Sequence, residues 1–175
     1  MHRTVTVFYL ELNDISAQSS TVDFPGFDFR RALIPCPELN RFFYMTIGKN
    51  WSWIDRLPWT KENWFDYLNR PELETWIAYL NETPAGYMEL EIQEGQTVQI
   101  SYLGVLPQFS GKGLGKAILN SGIRRSRELQ ARRVWLNTCS LDSPAALKLY
   151  KSVGFQIFKE ETLTREIPDV YPVSL

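Results

Sequence analysis

Polar and apolar positions along the chain alternate with a period of two in short stretches and near 3.6 in longer ones, and the changes of period mark out the elements. Residues 4–10, rich in β-branched and aromatic side chains, read as a first strand, and a polar loop through Ser20 leads to a turn at Phe24-Pro-Gly-Phe27. Pro37 suits the first position of a helix, and Thr60 caps a second one over 61–68 that stops before Pro71. Three strands follow at 75–80, 86–93 and 96–105, separated by turns at Thr83-Pro-Ala-Gly86 and Glu94-Gly95, which makes an antiparallel meander. A helix over 113–130 crosses to a strand at 133–138, and a shorter helix over 144–152 leads to the last strands. Gly122 inside the long helix costs about 1 kcal/mol relative to alanine, so it predicts close packing against the sheet. The order is β-α-α-β-β-β-α-β-α-β, with no repeat and no low-complexity tract.

Candidate chemistry concentrates where the meander meets the long helix, in Ile100-Ser-Tyr-Leu-Gly-Val-Leu-Pro-Gln-Phe-Ser-Gly-Lys-Gly-Leu-Gly-Lys-Ala-Ile-Leu119. Gly111, Gly113 and Gly115 let the backbone approach a ligand closely, and the first free N–H groups of the helix favour an anion there. A nucleoside triphosphate loop fails, because Ser110 stands where the first glycine belongs and Ala117 where a magnesium-binding hydroxyl belongs. The dinucleotide pattern Gly-x-Gly-x-x-Gly fails as well, since its last position falls on Lys116 or Ile118. Residues 133–138 also offer no acid for a ribose.

What remains is Gln108-x-x-Gly111-x-Gly113, which resembles the Gln/Arg-x-x-Gly-x-Gly/Ala signature of the GCN5-related N-acetyltransferase (GNAT) family. A second match lies downstream, in Asp142-Ser-Pro-Ala-Ala-Leu-Lys-Leu-Tyr150-Lys-Ser-Val-Gly154-Phe155, with its Leu-Tyr pair and Gly-Phe turn. The clear resemblance covers about residues 84–160, and 1–83 match in the order of their elements. It implies one acetyltransferase-like α/β domain over 1–175: a central mixed sheet with helices on both faces and an acceptor-side helical region at about 36–70.

The same resemblance implies acetyl-CoA as acyl donor and a primary amine, small molecule or peptide, as acceptor, joined by direct attack. Cofactor contacts then fall to Leu103, Val105, Gln108, Gly111, Lys112, Gly113, Leu114, Gly115, Lys116 and Ser143. Gly104 and Pro107 mark the local defect that frees backbone amides of the strand, and an amide near Val105 would polarise the thioester. Tyr150 matches the position of a phenol that protonates the departing thiolate. Relatives commonly carry a glutamate on the strand before the glycine turn, whereas this chain has Gln99 there, which accepts no proton. Glu89 and Glu91 lie two apart on the preceding strand and share a face, and Glu89, interior to the strand, is the chosen base. Trp51 and Trp53 flank Ser52 in a tryptophan-rich segment and are read as walls of the acceptor pocket, with Asp55 and Arg56 orienting a polar substrate or pairing together.

Composition narrows the field further. The 175 residues form one domain's worth of chain with net charge −1, which gives no general attraction to nucleic acid or acidic lipid. His2 near the terminus is the single histidine, so mechanisms built on an interior histidine drop out. Two cysteines without Cys-x-x-Cys spacing suggest neither disulfide framework nor metal site, and no signal or spanning segment is seen, so a cytoplasmic monomer or homodimer is expected. The intact cofactor turn beside Gln99 leaves a non-catalytic acyl-CoA sensor as the alternative function.

Overall fold

The computed structural model describes residues 1–16 and 23–172. The elements run β1 (His2–Leu12), β2 (Phe27–Ala32), α1 (Pro37–Gly48), α2 (Lys61–Leu68), β3 (Leu73–Leu80), β4 (Thr83–Gln93), β5 (Thr97–Val105), α3 (Leu114–Glu128), β6 (Arg133–Cys139), α4 (Pro144–Val153) and β7 (Gln156–Glu166), with a 3₁₀ turn at Pro107–Phe109. One sheet holds the strands in the order β2-β3-β4-β5-β6-β1-β7. Among the described residues only β5 and β6 pair in parallel, as the crossover through α3 demands, and the other ladders are antiparallel.

Alternation along β4 assigns the two faces. Met88 and Leu90 pack with Ile118, Leu119 and Ile123 of α3 and with Tyr150 and Val153 of α4. Tyr87 points the other way, stacked on Phe43 of α1 with ring centroids 5.0 Å apart. Helices therefore cover both faces of a mixed sheet, as the family resemblance implied. Gly122 performs its expected role, because a Cβ there would stand 2.4 Å from Met88 Sδ.

The structure corrects three local readings. β2 is an additional strand, an edge partner of β3, whose Phe27 and Phe29 face one side and stack towards Trp76. The β3–β4 turn is Asn81-Glu82, both with positive φ (48° and 63°), rather than 83–86, since Leu80 already pairs with Thr83. A single long β7 replaces the several last strands. The expected loop through Ser20 lies partly outside the described residues.

Candidate active site

β5 and β6 begin as neighbours and then part. Their parallel pairing runs only from Thr97 opposite Arg133 to Gln99 opposite Trp135, although the strands continue to Val105 and Cys139. Directly after Gln99 the β4 register slips, Leu90 facing Ile100 and Glu89 facing Tyr102, so Ser101 is a bulge. A wedge-shaped cleft opens there, with unladdered backbone along its β5 edge. The defect is thus at Ser101, not at Gly104 or Pro107 as the sequence suggested. Gly104 serves close approach instead, because a Cβ would lie 2.8 Å from Ile47 Cγ2. The apex of the cleft accordingly moves from Val105 towards Ser101.

The glycine turn stands at the open end of this wedge. Gly111 and Gly113 have φ of +76° and +83°, a conformation that L side chains resist, and a Cβ on Gly111 would meet nothing within 4 Å. Gly113 is the N-cap of α3 and contributes no side-chain oxygen, so the first amides of the helix keep their donors for a ligand. Leu103, Val105, Gly111, Gly113, Leu114, Gly115, Lys116, Ser143 and Tyr150 all line one cavity of about 970 Å³. Gln108 and Lys112 do not line it; both are exposed, and Lys112 extends over the Phe109 ring.

Asp142, which the sequence reading quoted but gave no role, organises the far wall. Its carboxylate accepts from Thr138 Oγ1 (2.7 Å), the Cys139 amide (2.8 Å) and Trp53 Nε1 (3.2 Å), joining β6 to the tryptophan segment across the cleft. The Ser143 hydroxyl caps α4 by accepting from the Ala145 amide. Tyr150 follows two turns later with its ring against Phe155. Burial, then the Asp142 charge, pushes its phenol well above the ordinary value, so it holds its proton. Burial likewise pushes up the Cys139 thiol, which suits a wall residue and not a nucleophile.

On the acceptor side the calls divide. Trp51 and Trp53 line the cavity, joined by Trp59, Tyr67, Tyr102, Glu91 and Gln99. Glu89 does not line it: the side chain is fully buried, accepting from Asn40 Nδ2 (2.9 Å) and Arg56 Nη1 (2.9 Å), with Arg56 Nη2 2.8 Å from its other oxygen. Its period-two position was read correctly, but α1 and α2 bury that part of the face, and a carboxylate held by a guanidinium there is a poor base. Asp55 and Arg56 do not pair together; Asp55 accepts from Arg165 and Arg56 turns inward to Glu89. The Arg56 guanidinium sits 4.2–4.6 Å from the ring centroids of Tyr67, Tyr102 and Trp59, so the aromatic segment is organised around a buried cation. Five aromatic residues within reach of one arginine were a readable signal only after folding, since Tyr44 and Tyr102 lie far apart in sequence.

The uncapped glycine turn, the splayed strand pair and the tyrosine of the following helix thus meet in one cavity, and the acetyltransferase (GNAT) family profile matches residues 35–155. The chain belongs to the GNAT family. Among curated relatives of this GNAT chain, it is 29% identical over 100 residues to a Bacillus subtilis (strain 168) protein whose provisional name is [ribosomal protein bS18]-alanine N-acetyltransferase. That alignment covers 57% of the chain and 65% of the relative. It is 27% identical over 106 residues to the mycothiol acetyltransferase of Nocardiopsis dassonvillei, covering 58% of the chain and 32% of that protein. The chain thus spans less than two-thirds of the length of these curated relatives. A solved GCN5-related N-acetyltransferase from Sphaerobacter thermophilus superposes with TM-score 0.72 at 18% identity, over 97% of this chain and 54% of that one.

Proposed function

We propose that this GNAT chain transfers an acyl group, acetyl in the first instance, from acyl-CoA to a primary amine without a covalent enzyme intermediate. The observation that carries the reading is the continuity of the cavity from the glycine turn, past Tyr150, to the aromatic segment at Trp51–Trp59. A module that only senses acyl-CoA has no use for the second half of that space. The amides of residues 111–115, with the Lys116 side chain, would hold the pyrophosphate, the Lys116 amide being already bonded to the Gly113 carbonyl, and the free β5 edge at Leu103–Val105, with Ser143 opposite, would hold the pantetheine arm. Acetyl-CoA supplies the thioester carbonyl that an amine attacks.

This chain's residues then have three tasks. Backbone donors at the Ser101 bulge face the developing oxyanion, where a fixed N–H contributes most. Glu91 takes the role first assigned to Glu89. It lines the cavity and is only about a quarter exposed, and among the described residues its Oε1 meets Arg70 Nη1 at 3.2 Å while its other oxygen remains for the acceptor's proton, directly or through water. Tyr150, kept neutral by burial, gives its proton to the leaving thiolate. The test is purified protein with acetyl-CoA against a panel of primary amines, read as release of free CoA. Release that depends on an amine supports the reading, and binding of acetyl-CoA without release from any amine returns the chain to the sensor class.

A further inference from the structure

Among the side chains that line the acceptor side, Gln99 and Arg56 keep N–H groups without a protein acceptor among the described residues, and elementary hydrogen-bond chemistry says which groups these are. Trp135 Nε1–H can only donate, and it donates to the Gln93 side-chain oxygen at 2.8 Å. Gln93 must therefore present its amide nitrogen to Gln99, whose oxygen accepts at 3.0 Å. The order Trp135, Gln93, Gln99 leaves the Gln99 NH₂ as the group without a protein acceptor among the described residues, and Gln99 lines the cavity. Arg56 behaves alike. Two of its five N–H groups face Glu89, its side chain is 5% exposed, it also lines the cavity, and its Nε–H meets no protein acceptor among the described residues.

These donors differ in kind from an anion site. Glu89 already balances the Arg56 charge at 2.8–2.9 Å, and Glu91 lies two residues from Glu89 on the same face, about 7 Å along β4 and directly opposite Gln99. A carboxylate brought here would meet one neutralised guanidinium and two carboxylates. A neutral carbonyl oxygen would satisfy the free N–H groups with no such repulsion, while Glu91 attracts an ammonium. Trp59, Tyr67 and Tyr102 line the same space and wall it with apolar surface.

We propose that the acceptor is an amine that carries a neutral amide carbonyl beside it, an aminoacyl amide or peptide amine, recognised by Gln99 Nε2–H and Arg56 Nε–H, with Gln93 as the positioning residue for Gln99. The proposal deepens the acyl-transfer reading and rests on it. Gln99, which stands where a base was expected, then acts as a specificity donor.

The experiment compares three probes with one ring: phenylalaninamide, phenylalanine and phenethylamine. Their kcat/KM values with acetyl-CoA are measured for the wild type and for Gln99→Met, which keeps length and loses both donors, Gln93→Met, which removes the positioning contact together with the acceptor of Trp135 Nε1–H, and Arg56→Lys, which keeps charge and loses the fork. The preference ratio, amide over plain amine, cancels differences that depend on the ring alone and is compared at one pH. It is expected to favour the amide in the wild type, to fall about tenfold in Gln99→Met through KM with kcat little changed, and to fall less in Gln93→Met. Phenylalanine should be the poorest of the three. A wild type without amide preference, or a preference that survives Gln99→Met, overturns the proposal while leaving acyl transfer standing. If no probe releases CoA, acyl transfer itself fails, and tryptophan-fluorescence titration of the same probes decides this proposal separately: equal or absent binding of phenylalaninamide and phenethylamine overturns it. Because Arg56→Lys disturbs the two-point contact of a buried ion pair, its result counts only where the melting curve stays cooperative; Gln99→Met carries the test otherwise.

Discussion

Tyr150 and the two glutamates of β4 show how much one residue's surroundings decide. Tyr150→Phe keeps the ring against Phe155 and removes one oxygen, so kcat should fall by ~10²-fold while acetyl-CoA affinity holds, as measured by steady-state kinetics and titration. Because burial raises the phenol, loss of this proton should produce no decline in wild-type rate up to about pH 10, the ordinary value for tyrosine. Glu91→Gln should lower turnover most near neutral pH. The gap should close as the pH approaches the pKa of the acceptor amine, about 10.4 for a lysine-like one, because an amine that arrives neutral needs no base. Glu89→Gln should act differently, lowering the melting temperature, since it leaves the buried Arg56 without its counter-charge. Period two placed both glutamates on one face, and that was legible. Which of the two lies beneath the helices and which opens on the cavity depends on how α1 and α2 cross the sheet, and no strand-local pattern encodes that. A pH profile alike for wild type and Glu91→Gln would remove Glu91 from the reaction.

Among the elements, the turn into α3 was the most legible, because glycines, helix start and preceding strand are contiguous in sequence and their physics is local. Gly113 adopts φ +83°, and a Cβ there would lie 3.8 Å from the Phe24 ring, so Gly113→Val forces a β-branched side chain into a left-handed conformation within the glycine turn. Acetyl-CoA at ~100 times its dissociation constant should stabilise the wild type by ~2.7 kcal/mol, seen as a raised melting temperature, while ATP and NAD raise it little. A folded Gly113→Val protein should lose that rise, and an undiminished rise would separate the turn from the cofactor. The βαβ step through α3 was legible for the same local reason. The wedge between β5 and β6 was not, since Gly104 and Pro107 looked like the defect whereas the register slips at Ser101. A bulge is a relation between two strands, and the sequence of one of them shows only residues that would tolerate it. β2 was missed for a related cause: six residues with Asp28, Arg30 and Arg31 read as loop until pairing with β3 gives their backbone a ladder.

At the scale of the whole molecule, a sheet that splays to admit a ligand must be held together elsewhere, and three parallel residue pairs join its two halves. Trp53 to Asp142 and Asp55 to Arg165 cross the cleft itself, and the Tyr171 hydroxyl donates to the Trp53 carbonyl at 2.6 Å. On the opposite face α3 is clamped to β3 by Glu74. This carboxylate is 2% exposed and accepts from Arg125 Nε (2.9 Å), Arg125 Nη2 (2.7 Å) and Trp76 Nε1 (2.9 Å), with Arg31 Nη1 at 3.0 Å. Burial alone would raise its pKa, but the Arg125 and Trp76 hydrogen bonds and the Arg31 charge together outweigh burial and hold it below the ordinary carboxylate range. The folded state therefore binds the Glu74 proton more weakly than the unfolded chain does. Stability from this group is complete above the unfolded value of about 4.3, and is lost as the pH falls through the lower folded value. Glu74→Gln should accordingly cost about 2 kcal/mol at pH 7, seen as a fall of about 4–8 °C in melting temperature. The difference between variant and wild type should hold constant down to about pH 5 and shrink below pH 4, because the wild-type carboxyl then becomes neutral as well. Thermal melts of both proteins across that range give the answer. A difference that stayed the same at every pH would mean that Glu74 contributes through shape and hydrogen bonding rather than through its charge.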